Sequence, residues 1–246
     1  MQVLILGVGD AFTKRHFNTS ALIEHGERYL LLDCPTPINR VLHDVTSIND
    51  WTVGLESIDD IIITHLHGDH CSGLEAFGFW RYFYSKSNNK SSLPCIHTSK
   101  LAADRLWERF APAMDRANSD SPATLSDYYD LKILTPGAES QVCGLSIKCR
   151  FTGHPIPTVG LLISDGSATL GWSSDTPYDE EHIKWLSAAD VIVHESGPAP
   201  SHTPIEDLNA LPDELRAKMR LIHLADDFDY SSTDIKPLQE GEVIEF

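Results

Sequence analysis

With 246 residues, 41% of them apolar and 22% charged, the chain is long enough to bury one sizeable α/β core. A formal net charge of −17 opposes a large nucleic-acid interface, because such a field repels polyanions over a Debye length, yet it leaves room for a small anion in a locally positive pocket. No stretch approaches the ~20 apolar residues of a membrane span. The five cysteines (Cys34, Cys71, Cys95, Cys143, Cys149) are odd in number and contain no CxxC pair. That pattern argues against a disulfide framework or a thiolate zinc site and predicts a reducing, cytoplasmic setting.

The start, MQVLILGVGD, lacks a basic leader region and reads as a first strand ending in Gly-Val-Gly. SALIEH and YLLLDC, separated by a turn at Gly26, predict a hairpin. Ile38 to Val45 is a candidate helix, and Ile61-Ile62-Ile63 is short and wholly apolar, as a buried strand should be. Leu74 to Tyr84 predicts a buried helix, Ser85 to Leu93 a polar loop. In LAADRLWERFAPAM, the residues Leu101, Leu106, Trp107, Phe110 and Met114 form a stripe at roughly helical spacing, read as core packing. Strands return with LKIL, LSIKCRF, VGLLIS, ATLGW and DVIVH. Helical pieces intervene at Tyr178 to Ala189 and at Ile205 to Arg220, the latter interrupted by Pro212, before RLIHLAD closes the series. Strands in two batches, each followed by helices, predict two sheets packed face to face with helices outside, in one domain.

The stretch THLHGDH, Thr64 to His70, concentrates the chemistry. His65 and His67 stand two apart directly after a buried strand, so an extended backbone points both toward one metal ion. Asp69 and His70 follow where the chain turns into the next helix and would face a second ion. Imidazole and carboxylate suit borderline metals such as zinc. The plainer alternative is a solvated, histidine-rich turn, but HxHxDH at a strand end is a much more specific pattern than a lone histidine.

THLHGDH resembles the HxHxDH signature of the metallo-β-lactamase superfamily. The resemblance implies a four-layer αββα sandwich with two metal ions along one edge of the sheets. It also implies further ligands downstream, and strand-end residues are present in that order: His154 in FTGHPIPTVG, Asp175 in LGWSSDTP and His223 in LIHLADD. By the family pattern, His65, His67 and His154 hold one metal and Asp69, His70 and His223 the other, with Asp175 between them. Two divalent ions, zinc foremost with manganese or iron as alternatives, together with two carboxylates and a bridging hydroxide leave such a site about one unit positive. That charge suits an anionic phosphodiester, and Asp69 is also expected to orient the hydroxide.

HPIPTVG is similar to the stretch around the third histidine of ribonuclease Z and related phosphodiesterases, and PSHTPIEDL more loosely to their HST segment. This resemblance makes His202 a candidate to bind the phosphate or protonate the leaving oxygen. Thr203-Pro-Ile-Glu also reads as a helix capping box. Glu195 in VIVHESG is a candidate partner orienting a histidine, while His194 reads equally as structural, and His16 lies in an early polar loop. Ribonuclease Z carries a tRNA-gripping arm between the third histidine and the bridging aspartate, and here only twenty residues separate the two. A small phosphodiester, a cyclic nucleotide or a cyclic sugar phosphate, is therefore the expected substrate. Phe79 to Tyr129 is the expected substrate-shaping insertion; its Trp80, Tyr82, Tyr84 and Trp107 read as core more than as a stacking surface. Competing readings are a lactone or thioester hydrolase on the same metals and a di-iron oxygen-binding or redox protein. A homodimer is a family-level expectation.

Overall fold

Strands whose every residue is apolar need cover on both faces, and two layers of helix provide it here. The structure, a computed structural model, describes residues 1–49, 51–88, 92–116, 121–244 and 246. The first sheet contains β1 (Gln2–Gly7), β2 (Ser20–His25), β3 (Arg28–Leu32), β4 (Ile58–Ile62), β5 (Cys95–Ser99), β6 (Asp130–Leu134) and the late β14 (Val243–Ile244) in the order β14-β1-β2-β3-β4-β5-β6. The second contains β7 (Glu139–Val142), β8 (Leu145–Phe151), β9 (Val159–Ser164), β10 (Thr169–Trp172), β11 (Val191–Glu195), β12 (Met219–Ile222) and β13 (Lys236–Pro237), in the order β13-β12-β11-β10-β9-β8-β7.

The side-chain alternation of the strands sorts the core into three parts. Val3, Ile5, Ile23, Leu30 and Leu32 face Ile147, Leu161, Ile163, Trp172 and Val193 between the sheets. Leu4, Leu6, Leu22, Leu31 and Ile61 point the other way, against the helices α1 (Ile38–Thr46), α3 (Leu74–Asn88) and α4 (Lys100–Met114). Behind the second sheet, Leu162, Ile192 and Leu221 pack on α5 (Glu180–Leu186) and α6 (Ile205–Asn209). The four-layer αββα arrangement predicted from the two batches of strands is what the chain forms.

One strand was not anticipated, and three expectations need local revision. Cys95–Ser99 is a buried strand inside the first sheet although CIHTS is half polar; its Thr98 hydroxyl is satisfied by the Ile63 carbonyl at 2.7 Å. Helix α3 continues to Asn88, so the loop predicted from Ser85 begins later, and its residues 89–91 lie outside the described ones. The predicted helix ending at Arg220 breaks into α6 and a single turn, α7 (Asp213–Arg216), and Met219 already belongs to β12. Leu101 is 51% exposed, unlike Leu106, Phe110 and Met114 of the same stripe, because it sits at the start of α4, beyond the sheet edge.

The stretch 79–129 supplies β5 within the first sheet and α4 on its outer face. Trp80, Tyr82 and Trp107 are half-buried against the outer core, with Trp80 stacked on Tyr84 and Trp107 on Tyr128.

Candidate metal centre

Parallel strands place their C-terminal ends on one edge, and each predicted ligand leaves a strand at that edge. β4 delivers His65 and His67, and the one-turn helix α2 (Gly68–Cys71) carries Asp69 and His70. His154 follows β8, Asp175 follows β10, and His223 follows β12. The sheets are tied together along this edge by backbone bonds from Val159 N to Thr64 O (3.2 Å) and from Leu224 N to Val8 O (2.9 Å). Asp33, Ser174 and His223 adopt left-handed backbone angles (φ 59°, 54° and 59°), which non-glycine residues rarely do; three such residues at one edge mark a constrained site.

The seven side chains form two groups that share Asp175. Ligand-type atoms of His65, His67, His154 and Asp175 lie within 4.8 Å of one another, as do those of Asp69, His70, Asp175 and His223. Asp175 Oδ2 is 3.6 Å from His65 Nε2, 3.7 Å from His154 Nε2 and 3.8 Å from His223 Nε2, and its Oδ1 is 3.4 Å from His70 Nε2. Asp69 Oδ2 lies 3.3 Å from both His70 Nε2 and His223 Nε2. Most of these separations are too long for good hydrogen bonds and suit atoms converging on a common centre. His65 Nε2 and His70 Nε2 are buried with no hydrogen-bond partner, a costly state that a bound cation would relieve. The residues present therefore fit a pair of divalent ions.

Outer contacts fix which nitrogen faces the centre. His70 Nδ1 donates to Asp33 Oδ2 at 2.8 Å, and His154 Nδ1 donates to the Ser201 carbonyl at 3.1 Å, so each turns the Nε2 lone pair toward the centre, where His154 Nε2 lies 3.0 Å from His67 Nδ1. Asp33 is fully buried and also accepts from Thr64 N (2.8 Å) and Thr64 Oγ1. Burial raises its pKa, while His70 and Thr64 act in the opposite direction. Burial also disfavours charge on Asp69 and Asp175, but the surrounding histidines more than offset it and hold both carboxyls well below the usual range. His65 is pushed toward its neutral form, by burial first and by its histidine neighbours second.

His202 stands over both groups, its ring centroid 5.4 Å from that of His154 and 5.2 Å from that of His223. Its Nδ1 donates to Glu195 Oε1 at 3.0 Å, and the same oxygen accepts from Thr176 N at 2.9 Å. Burial lowers the His202 pKa, but the Glu195 hydrogen bond and charge outweigh it and raise the pKa overall. Thr203 does not cap α6: its hydroxyl donates to the Thr176 carbonyl (2.9 Å), tethering the His202 segment beside Asp175, and Pro204 occupies the cap position. His194 turns away, its ring bonded to the Glu195 carbonyl, and His16 faces Glu240. Asp33 and the Ser201 carbonyl were not singled out from the sequence; for Asp33 the available signal was a carboxylate directly after the strand YLLL.

Two cavities flank the centre. The larger, about 560 Å³, lies on the His67 side between α4 and Ile156-Pro157; the smaller, about 120 Å³, lies beside His202 and His223 under Phe12.

Comparison with known proteins places this arrangement. The family of the anti-Pycsar protein Apyc1 matches residues 1–240. The chain belongs to that family. The anti-Pycsar protein Apyc1 of Paenibacillus sp. (strain J14) is 29% identical over 238 residues, covering 93% of this chain and 91% of the relative. The cAMP/cGMP-dependent 3',5'-cAMP/cGMP phosphodiesterase B of Dictyostelium discoideum is 28% identical over 210 residues, 77% of this chain and 18% of that much longer protein. Among solved structures, the metallo-β-lactamase fold protein YhfI from Bacillus subtilis superposes with a TM-score of 0.81 over 99% of this chain and 98% of its own, at 19% identity. The fold is that of the metallo-β-lactamases.

Proposed function

We propose that this protein is a metal-dependent phosphodiesterase that opens the ring of a cyclic nucleotide. The observation that carries the reading is the pair of His/Asp groups sharing Asp175, with the His202–Glu195 pair directly over them. The names of the Dictyostelium relatives, cAMP/cGMP and cGMP phosphodiesterases, support a cyclic nucleotide over a cyclic sugar phosphate. The absence of a tRNA arm fits the same choice, since residues 155–174 are spent on β9, β10 and their turn.

His65, His67 and His154 would hold one divalent ion and Asp69, His70 and His223 the other, with Asp175 common to both; zinc suits this nitrogen and oxygen donor set. Such a pair supplies an activated water and neutralises charge on the phosphoryl oxygens. The chain's own residues do the rest. Asp69, held ionised by its histidines, accepts a hydrogen bond from the attacking water and orients it. His202, kept proton-bearing by Glu195, delivers a proton from Nε2 to the ribose oxygen that leaves. Glu195 fixes the tautomer and ring plane of His202 through Nδ1. The segment 79–129 shapes the substrate cavity through α4, within a chain that acts as one domain. Five buried free cysteines support a reducing cytosol, and no helix among the described residues is long and apolar enough to cross a membrane.

The test is metal content per chain together with hydrolysis of cAMP and cGMP, for the wild type and Asp175→Ala. Two ions per chain, with turnover lost in the variant, are expected. Two irons with an oxygen-sensitive spectrum and no turnover would replace the proposal with an oxygen-binding role.

A further inference from the structure

The cavity of about 560 Å³ beside His67 is the only one of the two flanking cavities with the size of a nucleoside site, which typically needs ~300 Å³ or more. Its lining includes the apolar side chains of Leu66, Leu101, Ile156 and Pro157, a surface suited to a flat ring. Leu101, half exposed at the start of α4, gains cover only if something fills that cavity. At the rim stand Arg105 and Arg109, one helical turn apart.

The two arginines differ in how they are held. The guanidinium of Arg109 is drawn onto the ligand loop: Nη2 donates to Ser72 Oγ at 3.3 Å and lies 3.6 Å from where a Cβ on Gly68 would stand, between His67 and Asp69. Arg105 has no hydrogen-bond or ion-pair partner among the described residues, and Glu108 on the same rim forms no ion pair with it. Like charges at i and i+4 destabilise a helix slightly, and in a chain of net charge −17 a carboxylate would be the ordinary neighbour. An unpaired guanidinium that lines a partly apolar cavity next to the metal groups is available to a ligand.

We propose that this cavity receives the base of the cyclic nucleotide and that Arg105 determines its binding, donating hydrogen bonds to acceptors on the base edge or covering its face. The inference rests on the phosphodiesterase reading above. His67 is common to the cavity and to the first metal group, so a phosphodiester seated on that group leaves its base within the cavity.

The experiment measures KM and kcat for cAMP, cGMP and a base-free analogue, methyl riboside 3',5'-cyclic phosphate, on metal-loaded wild type, Arg105→Ala, Phe12→Ala and Arg40→Ala. A charge-assisted hydrogen bond lost on binding predicts that Arg105→Ala raises KM for the nucleotides roughly tenfold or more, with kcat held and the base-free KM unchanged. Arg40→Ala, a remote removal of the same charge, leaves all values alone. An equal KM rise for the base-free analogue would place Arg105 on the phosphate and overturn the proposal. An equal effect of Arg40→Ala would reduce it to the overall field, and a KM rise in Phe12→Ala alone would move the base to the His202 side. If the wild type turns over no cyclic nucleotide, the phosphodiesterase reading itself fails; normal turnover with an unaltered KM in Arg105→Ala sinks only the present inference.

Discussion

Asp33 Oδ2 lies 2.8 Å from His70 Nδ1, and this carboxylate, fully buried at the end of β3, touches the candidate ligand histidine from behind. Its other bonds go to Thr64, the residue immediately before His65. One side chain therefore sets both ends of the HxHxDH loop: the backbone entering it and the tautomer of the histidine leaving it.

Replacing this carboxylate by an amide removes the charge that favours the Nδ1–H form of His70. Asp33→Asn is expected to weaken metal affinity roughly 10- to 100-fold while the protein remains folded. Competition titration with a chromogenic chelator reads this directly, and an unchanged affinity would leave Asp33 a purely structural residue.

The assignment of His202 as proton donor depends on the leaving group. Alkoxides such as a ribose oxygen need protonation, whereas p-nitrophenolate does not. His202→Asn should lower kcat by roughly 10²–10⁴-fold on cyclic nucleotides and far less on bis(p-nitrophenyl) phosphate. Equal losses on both substrates would assign His202 to phosphate binding instead.

Metal removal is expected to have a structural consequence, because the candidate ligands come from both sheets. An ion present at a hundred times its Kd stabilises the folded state by about 2.7 kcal/mol, which for a chain of this length corresponds to roughly 5–10 °C in melting temperature. Calorimetry before and after chelation should show that drop, reversed on adding zinc. Identical melting curves would mean that the site is held by protein contacts alone.

His182 provides a pH test away from the ligands. Its ring packs on Gly160, where a Cβ would come within 3 Å of it, stacks on Trp185, and donates from Nε2 to the Ser173 carbonyl. Burial brings its pKa down from 6.5 to about 4, the Ser173 bond opposing only in part. The folded pKa lies below the unfolded one, so stability is fully present above pH 6.5 and is lost as pH falls toward 4, by up to about 3 kcal/mol. Denaturant midpoints across that window should fall with pH in the wild type and flatten in His182→Gln; parallel slopes would exclude this residue as the source.

The architecture was legible because burial on both faces leaves apolar strands such as VGLLIS and SALIEH unmistakable, and Gly26 marks the hairpin turn from SALIEH to the strand that follows it. The convergence of the candidate ligands was legible because each is a strand-end residue in a known order. What escaped was whatever depends on tertiary partners. CIHTS is buried because partners such as the Ile63 carbonyl satisfy its polar side chains, and Asp33 acts through Thr64 and a histidine 37 positions away. Leu101 belongs to a core-like stripe by spacing and leaves the core because α4 begins at the sheet edge. Thr203 has the sequence of a cap, yet bonds across to Thr176.

The ligands fall on either side of the short link from β6 to β7: His65, His67, Asp69 and His70 before it, His154, Asp175 and His223 after it. A ribosome therefore releases the first half of the centre long before the second, and β12 must dock beside β11 before His223 can reach Asp69. Until then the emerging chain offers at most one of the two groups complete. Completion of the second group is thus tied to the last stage of synthesis: a chain stopped before β12 lacks His223 and can never form it, and one stopped before Asp175 completes neither group.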